Sequence, residues 1–294
     1  LTEYTVIGGG SSQDLARRIS RRLRADYVRA ELRAFPDGEQ KITLSASPKG
    51  NTAVVVQSTF PPVDSNLVQA LSLIHKAKEH APKVFAAIPY MGYARQDREF
   101  LPGEVVTMEV VAKLLRAAGA SRIFVVDIHS RTALRQFKSA GRNVSAVPDL
   151  ARHLKRLKLR DPLVVSPDAG GEERARQFAE RFKSDFVALQ KKRDRGTGRV
   201  RITSSGLDVV RDRDLILVDD MISTGGSIVK ATEFLKRRGC RRVFVACTHA
   251  LLINGAERKI RRAGVAKIVS TNTIPGSTGI VDVSGSLARA IQDA

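Results

Sequence analysis

LILVDDMISTGGS, residues 215–227, is the stretch on which the fold turns. Its four leading apolar residues, 215–218, read as a buried strand. Asp219 and Asp220 follow, and then a turn of small residues, Ser223, Thr224, Gly225, Gly226 and Ser227. Ile228, Ala231 and Leu235 recur at helical spacing. A strand that runs into a glycine-rich turn and opens a helix is a built-in anion site. The first helical amides have no partners within the helix, and the dipole adds positive charge there. The two glycines let a phosphate approach the backbone, and the three hydroxyls add donors. The acidic pair narrows the ligand, because carboxylates repel phosphate yet accept hydrogen bonds from sugar hydroxyls. A sugar phosphate fits such a cradle better than a nucleoside triphosphate, and the Gly-Lys-Ser/Thr of a Walker A loop is missing. An ordinary strand, turn and helix with solubilising acids is the plain alternative.

Outward from this stretch, apolar runs alternate with amphipathic segments. Strands are expected at 54–56, 84–88, 123–128, 163–165, 215–218 and 243–247. Helical stripes are expected on Leu67, Ala70, Leu71 and Ile74, and on Val110, Val111, Leu114 and Leu115. The alternation predicts an α/β fold with largely parallel sheets, whose ligands sit beyond the carboxyl ends of the strands. Residues 54–89 and 215–249 share one pattern of strand, loop, helix, basic turn and strand over nearly equal lengths. Two homologous halves would explain this, and so would the general likeness of βαβ units. The first copy carries Gln57, Ser58, Thr59, Phe60 and Pro61 where the second carries acids and glycines, so only the second would hold a sugar phosphate. A join is expected near 140–150, where Gly141, Arg142 and Asn143, and then Pro148 and Asp149, interrupt the pattern.

Composition bounds the class. A chain of 294 residues, 43% hydrophobic and 27% charged, is globular and fits two ordinary domains. No apolar run approaches the ~18 residues of a membrane span, and LTEYTVIGGGSS lacks the pattern of a signal peptide. Cys240 and Cys247 are expected to be buried free thiols. The net charge of +20 is compatible with nucleic acid or with polyphosphate substrates. Its basic runs, at 17–24, 153–160, 236–242 and 258–262, mostly fall on helices between apolar positions and read as solvated faces. Aromatics at 5% and the lack of Trp leave little for stacking single-stranded bases.

Five further segments carry polar chemistry. Phe35, Pro36, Asp37, Gly38 and Glu39 form a turn behind an aromatic. Tyr93-Ala94-Arg95-Gln96-Asp97-Arg98 follows a strand, and its arginines could fork onto phosphate oxygens. Asp127-Ile128-His129-Ser130 closes a strand, with His129 able to bind a metal or phosphate. Ser166-Pro167-Asp168-Ala169-Gly170-Gly171 closes another, and Asp168 suits magnesium, which takes one or two protein carboxylates and keeps waters and phosphate oxygens. Residues 190–199, QKKRDRGTGR, read as a mobile basic loop that could close over a transferring phosphoryl group. Each also reads, taken alone, as a surface turn, salt-bridge cluster, structural histidine or solvated loop.

In their order these pieces, FPDGE, YxRQDR, DIHS, SPDAGG, the KKR loop and VDDMISTGGS, together with TNTIPG and VDVSGSLARAI, resemble the ribose-phosphate pyrophosphokinases, in their short archaeal form, over nearly the whole chain. The resemblance implies two tandem phosphoribosyltransferase-like domains, each a largely parallel sheet flanked by helices. One would span 1–145 and lack the sugar-phosphate motif, the other 146–282, with a helix at about 283–294 packing on the first. It implies transfer of the β,γ-diphosphoryl unit of ATP to the anomeric hydroxyl of ribose 5-phosphate, with Mg2+ as cofactor, in nucleotide biosynthesis. Phe35 would stack on adenine, and Asp37, Gly38 and Glu39 would contact the nucleotide across a subunit boundary. Arg95 and Gln96 would hold ATP, with Asp97 supporting them. His129 would touch ATP and, with Asp168, the metal. Lys191 and Arg193 would be catalytic, and Asp219, Asp220, Ser223, Thr224, Gly225, Gly226 and Ser227 would bind ribose 5-phosphate. A cytoplasmic homo-oligomer, dimer or hexamer, is expected, with neither membrane nor nucleic acid as partner. A phosphoribosyltransferase acting on a nucleobase and a non-catalytic regulatory homologue are the competing readings.

Overall fold

The computed structural model describes residues 3–193, 200–203 and 207–294. The chain divides into two units. The first comprises Leu1–Ser145, Asn272–Pro275 and Asp282–Ala294; the second comprises Ala146–Thr271 and Gly276–Val281.

The first unit is built on strands β1 (Tyr4–Gly8), β2 (Asp26–Ala34), β3 (Gln40–Leu44), β4 (Thr52–Val56), β5 (Lys83–Ile88), β6 (Arg122–Val126) and β7 (Gly141–Val144). They lie in the order β3-β2-β1-β4-β5-β6-β7. Only β3 is antiparallel to its neighbour. Its helices are α1 (Gln13–Leu23), α2 (Val63–Lys78), α3 (Thr107–Ala117), α4 (Arg131–Gln136) and, from the end of the chain, α9 (Ser284–Gln292). β4 is buried at every position because both faces of the sheet are covered. Ala53 and Val55 join Leu73 and Ile74 of α2 and Val111 and Leu115 of α3 in one core. The alternate residues Phe85 and Phe124 face the other way, with ring centres 5.7 Å apart. Helices α1 and α9 pack on each other. α1 buries Leu15, Ala16, Ile19 and Leu23 and turns Arg17, Arg18, Arg21 and Arg22 outward, so its basic run is a solvated face.

The second unit holds β8 (Leu163–Ser166), β9 (Phe186–Ala188), β12 (Asp214–Ile222), β13 (Arg242–Ala250), β14 (Val265–Thr271) and β15 (Gly279–Val281), all parallel, in the order β15-β14-β13-β12-β8-β9. A separate antiparallel hairpin joins β10 (Gln190–Arg193) to β11 (Val200–Thr203). The helices are α5 (Val147–Lys155), α6 (Glu172–Phe182), α7 (Gly226–Arg237) and α8 (Ala256–Arg262). Leu215 and Leu217 of β12 share a core with Ile228, Ala231 and Leu235 of α7 and Ile260 of α8.

The two sheets repeat one order. β2-β1-β4-β5-β6-β7 of the first matches β9-β8-β12-β13-β14-β15 of the second, with α1, α2 and α3 matching α6, α7 and α8. The similarity of 54–89 and 215–249 therefore extends beyond a single βαβ unit.

Several local expectations need correction. β12 does not end at Val218 but runs through the acids to Ile222, because its pairing with β13 continues to Ala250. β6 stops at Val126, since Asp127 takes a left-handed conformation, φ 38°. The α3 stripe is displaced: Met108, Val111, Ala112 and Leu115 are buried, whereas Val110 and Leu114 are exposed. Both sets satisfy helical spacing, and sequence periodicity does not choose between them. Gly141, Arg142 and Asn143 form strand β7 rather than an interruption, and Pro148 sits in the first turn of α5, where a missing N–H costs nothing. The basic loop is in part a strand, with Lys191 opposite Ile202 and Arg193 opposite Val200; residues 194–199 lie outside the described residues. Cys240 and Cys247 are free, but only Cys247 is fully buried. Among the described residues no helix is long and apolar enough to cross a membrane.

Candidate active site

The cradle of the second unit is assembled at the carboxyl end of β12. Gly225 precedes α7 with φ +77°, and a Cβ there would come within 2.9 Å of Ile260 Cδ1, so glycine is required both by conformation and by space. A Cβ on Gly226 would meet nothing within 4 Å. The turn is held from behind: Leu252 N–H donates to Ile222 O at 3.0 Å, and Ile253 N–H to Ser223 O at 3.1 Å. Val229 N–H closes the first helical bond onto Gly225 O at 2.9 Å. The amides before it face the cradle end of the helix, where an anion is favoured.

Asp219 and Asp220 stand at the lip. Asp220 N–H donates to Asp219 Oδ1 at 2.9 Å. Burial holds the Asp219 carboxyl well above the usual range; the charge of Asp220 and a hydrogen bond with it add to this, while Arg174 opposes it. Cys247 lies beside Asp219 on β13, its thiol at 3.2 Å from His249 O. Burial, then the two acids, pushes that thiol well up, so it stays neutral and is no nucleophile.

Asp168 follows β8 in the same unit. Its Oδ1 accepts the Gly171 N–H at 3.2 Å, and Ser166 Oγ donates to its carbonyl at 2.6 Å, shaping the turn that opens α6. Its charge acts on Asp219. Among the described residues no group of three or more His, Cys, Asp or Glu side chains forms a metal cluster.

Lys191 and Arg193 lie on β10 of the second unit, and the first unit positions the residues expected at the nucleotide. Phe35, Pro36, Asp37, Gly38 and Glu39 cap the hairpin of β2 and β3; Phe35 N–H donates to Glu39 O at 2.8 Å, and Gly38 has φ +93°. The Phe35 ring is exposed, with the Arg33 guanidinium 5.8 Å from its centre. Arg95 and Gln96 are exposed and Asp97 is buried. Asp97 accepts a hydrogen bond from Ser130 Oγ, and Ser130 in turn caps α4 by accepting Ala133 N–H at 2.9 Å. His129, the neighbour of Ser130, is exposed. Asp97 and Ser130 thus bind the RQDR and DIHS segments together.

Ser130 was not legible as a site residue, because a serine after a strand is common. Arg174 was also missed: its Nη1 lies 3.3 Å from Asp220 Oδ1.

The counterpart of the cradle in the first unit is filled by its own side chains. Gln57, fully buried, donates to Asn66 Oδ1 and Gln69 Oε1, both at 3.1 Å, and accepts Ser11 N–H at 3.2 Å. Ser58 N–H is taken by Ser12 Oγ at 2.8 Å.

With this geometry the relatives can be weighed. Residues 4–119 match the family model of the N-terminal domain of ribose phosphate pyrophosphokinase, and residues 136–283 that of the phosphoribosyl transferase domain. The chain belongs to the ribose-phosphate pyrophosphokinase family. It is 36% identical over 290 residues to the ribose-phosphate pyrophosphokinase of Sulfolobus acidocaldarius, covering 97% of this chain and 99% of that one. It is 38% identical over 290 residues to the Methanopyrus kandleri pyrophosphokinase, covering 98% of each. The crystal structure of phosphoribosylpyrophosphate synthetase from Mycobacterium smegmatis superposes with a TM-score of 0.87 at 28% identity, over 99% of this chain and 98% of that one. Each half of the pyrophosphokinase pattern is thus a phosphoribosyltransferase-like α/β domain.

Proposed function

We propose that the two units divide the work of one reaction, the family's diphosphoryl transfer. The chain transfers the diphosphoryl group of ATP to ribose 5-phosphate, giving 5-phosphoribosyl 1-diphosphate and AMP. The anomeric hydroxyl bonds to the β-phosphorus, the bond from that phosphorus to the α,β-bridging oxygen breaks, AMP leaves, and the hydroxyl proton is released. Such a transfer needs in-line positioning and charge stabilisation rather than a covalent nucleophile. The neutral Cys247 fits that requirement.

The cradle at β12 and α7 carries this reading. Ser223, Thr224, Gly225, Gly226 and Ser227 would take the 5-phosphate, with Asp219 and Asp220 accepting from the ribose hydroxyls. In the first unit Phe35 would stack on adenine, Asp37, Gly38 and Glu39 would line the nucleotide, and Arg95, Gln96 and His129 would hold its phosphates, Asp97 anchoring the segment. Lys191 and Arg193 would stabilise the transferring group. Asp168, a hard oxygen donor beside the acid pair, suits Mg2+, and His129 would be its second position. When bound, the metal would neutralise phosphate oxygens of ATP. Assembly into a homo-oligomer, with a neighbouring chain completing the nucleotide site, and a cytoplasmic setting belong to the same reading.

The test follows AMP formation by chromatography with ATP, ribose 5-phosphate and magnesium. AMP is expected only when all three are present, and Asp219→Asn should weaken the response to the sugar. Lys191→Ala should lower kcat roughly 10³-fold while both KM values hold, as for a contact made mainly in the transition state. AMP production independent of the sugar, or wild-type turnover in Lys191→Ala, would overturn the assignment.

A further inference from the structure

Arg174 is the third residue of α6, a helix whose first turn also carries Glu172 and Glu173. The acids suit that end of a helix and the arginine does not. Its side chain nonetheless turns inward, retaining 21% exposure, and meets Asp220, whose side chain retains 7%, at 3.3 Å. The alternation of β12 explains the meeting. Leu215, Leu217 and Asp219 share the parity that faces α7 and α8, so Asp220 falls on the opposite face with Ile216 and Val218. α6 packs against β12 there. An ion pair withdrawn from water contributes little net stability, because desolvation offsets the attraction. What it can fix is direction: the guanidinium Nη1 donates to Oδ1 of Asp220.

We propose that Arg174 is a positioning residue for ribose 5-phosphate, its guanidinium holding the Asp220 carboxylate in the orientation that accepts the ribose hydroxyls. This rests on the reading of the acid pair as the sugar site. α6 also opens from the turn shaped by Asp168, so one short segment orients both groups of carboxylates. The counterpart in the first unit lacks the device. α1 places Leu15 third in its helix, and the matching strand β4 is followed by Gln57 and Ser58, which need no cation.

Steady-state kinetics with each substrate varied separately, together with calorimetric titration of ribose 5-phosphate, tests this on the full chain. Arg174→Gln is expected to raise the KM for ribose 5-phosphate tenfold or more and to leave the KM for ATP within about twofold, with a lowered thermal midpoint that Asp220→Asn in the same chain recovers in part, because the single change leaves a buried carboxylate without its cation. Arg174→Lys should recover part of the loss. In a cycle with Asp220→Asn the double variant should bind the sugar no more weakly than Asp220→Asn alone, because the arginine acts through that carboxylate. An unchanged sugar KM in Arg174→Gln, additive losses in the cycle, or KM values that rise together for both substrates would overturn the proposal. Asp219→Asn separates the two levels: if it too leaves sugar binding intact, the reading of the acid pair fails, whereas a weakened Asp219→Asn beside an unaffected Arg174→Gln removes only the role of the arginine.

Discussion

Adjacent glycines in the cradle are constrained by different things. Gly225 is fixed by the fold: its left-handed backbone and the 2.9 Å approach of Ile260 leave no place for a methyl group. Gly226 has helical backbone and open space around its missing Cβ, so nothing in the protein itself forbids a side chain. Gly225→Ala is therefore expected to destabilise by about 1–3 kcal/mol through backbone strain. Gly226→Ala should leave stability unchanged or raise it by about 0.4–1 kcal/mol, since alanine loses less chain entropy. The same substitution should raise the KM for ribose 5-phosphate at least several-fold, because on the proposed reading the methyl group would crowd the phosphate. Denaturant unfolding and sugar titration of both variants check the contrast. A Gly226→Ala protein with native sugar affinity would remove the phosphate from this turn.

At the scale of elements, Asp214 ties together the entries of two central strands. It is completely buried at the start of β12 and accepts from Arg241, from Arg242 at 2.6 Å, and from the Arg160 backbone at 2.7 Å. Burial opposes its charge, but the Arg242 and Arg160 hydrogen bonds and the two arginine charges outweigh it and hold the carboxyl below its ordinary value. A carboxylate depressed in the folded state stabilises above the unfolded pKa, about 4, and that contribution is lost as pH falls through the lower folded value. Asp214→Asn should cost roughly 2 kcal/mol at neutral pH, the scale of lost charge-assisted hydrogen bonds. The difference from wild type should shrink below about pH 4, which paired urea melts across pH 3–7 would record. The strands around Asp214 were legible because fully buried parallel strands are continuous apolar runs. β1, β7, β14 and β15 were not, being short, mixed in composition or broken by glycine. The cradle was legible from turn chemistry within one segment. Ser130 and Arg174 were not, because their partners Asp97 and Asp220 lie 33 and 46 residues away and only the fold joins them.

Across the whole molecule the chain does not close its units in sequence order. The first sheet is complete by Val144, yet that unit also takes Asn272–Pro275 and Asp282–Ala294. α9 buries Leu287, Ala288 and Ile291 and packs against α1, β6 and β7. Polar bonds fix it in place. Arg22 Nε donates to Ser284 Oγ at 2.8 Å, and Asp282 is paired with Arg18 and Arg22. Asn272 Nδ2 bonds Asp282 Oδ1 at 3.0 Å, and Ser58 Oγ, buried in the loop after β4, donates to Thr273 O at 2.7 Å. Losing the burial of Leu287 and Ile291 alone removes on the order of 3–6 kcal/mol, a large part of the ordinary stability of a domain this size. A fragment of residues 1–145 should therefore show no cooperative thermal transition by circular dichroism. A covalent fusion of that fragment to residues 272–294 through a flexible linker should restore one, and the fusion carrying Leu287→Ala should melt lower by several degrees. A sharp native-like transition in the bare fragment would mean that α9 only decorates a sheet already stable without it.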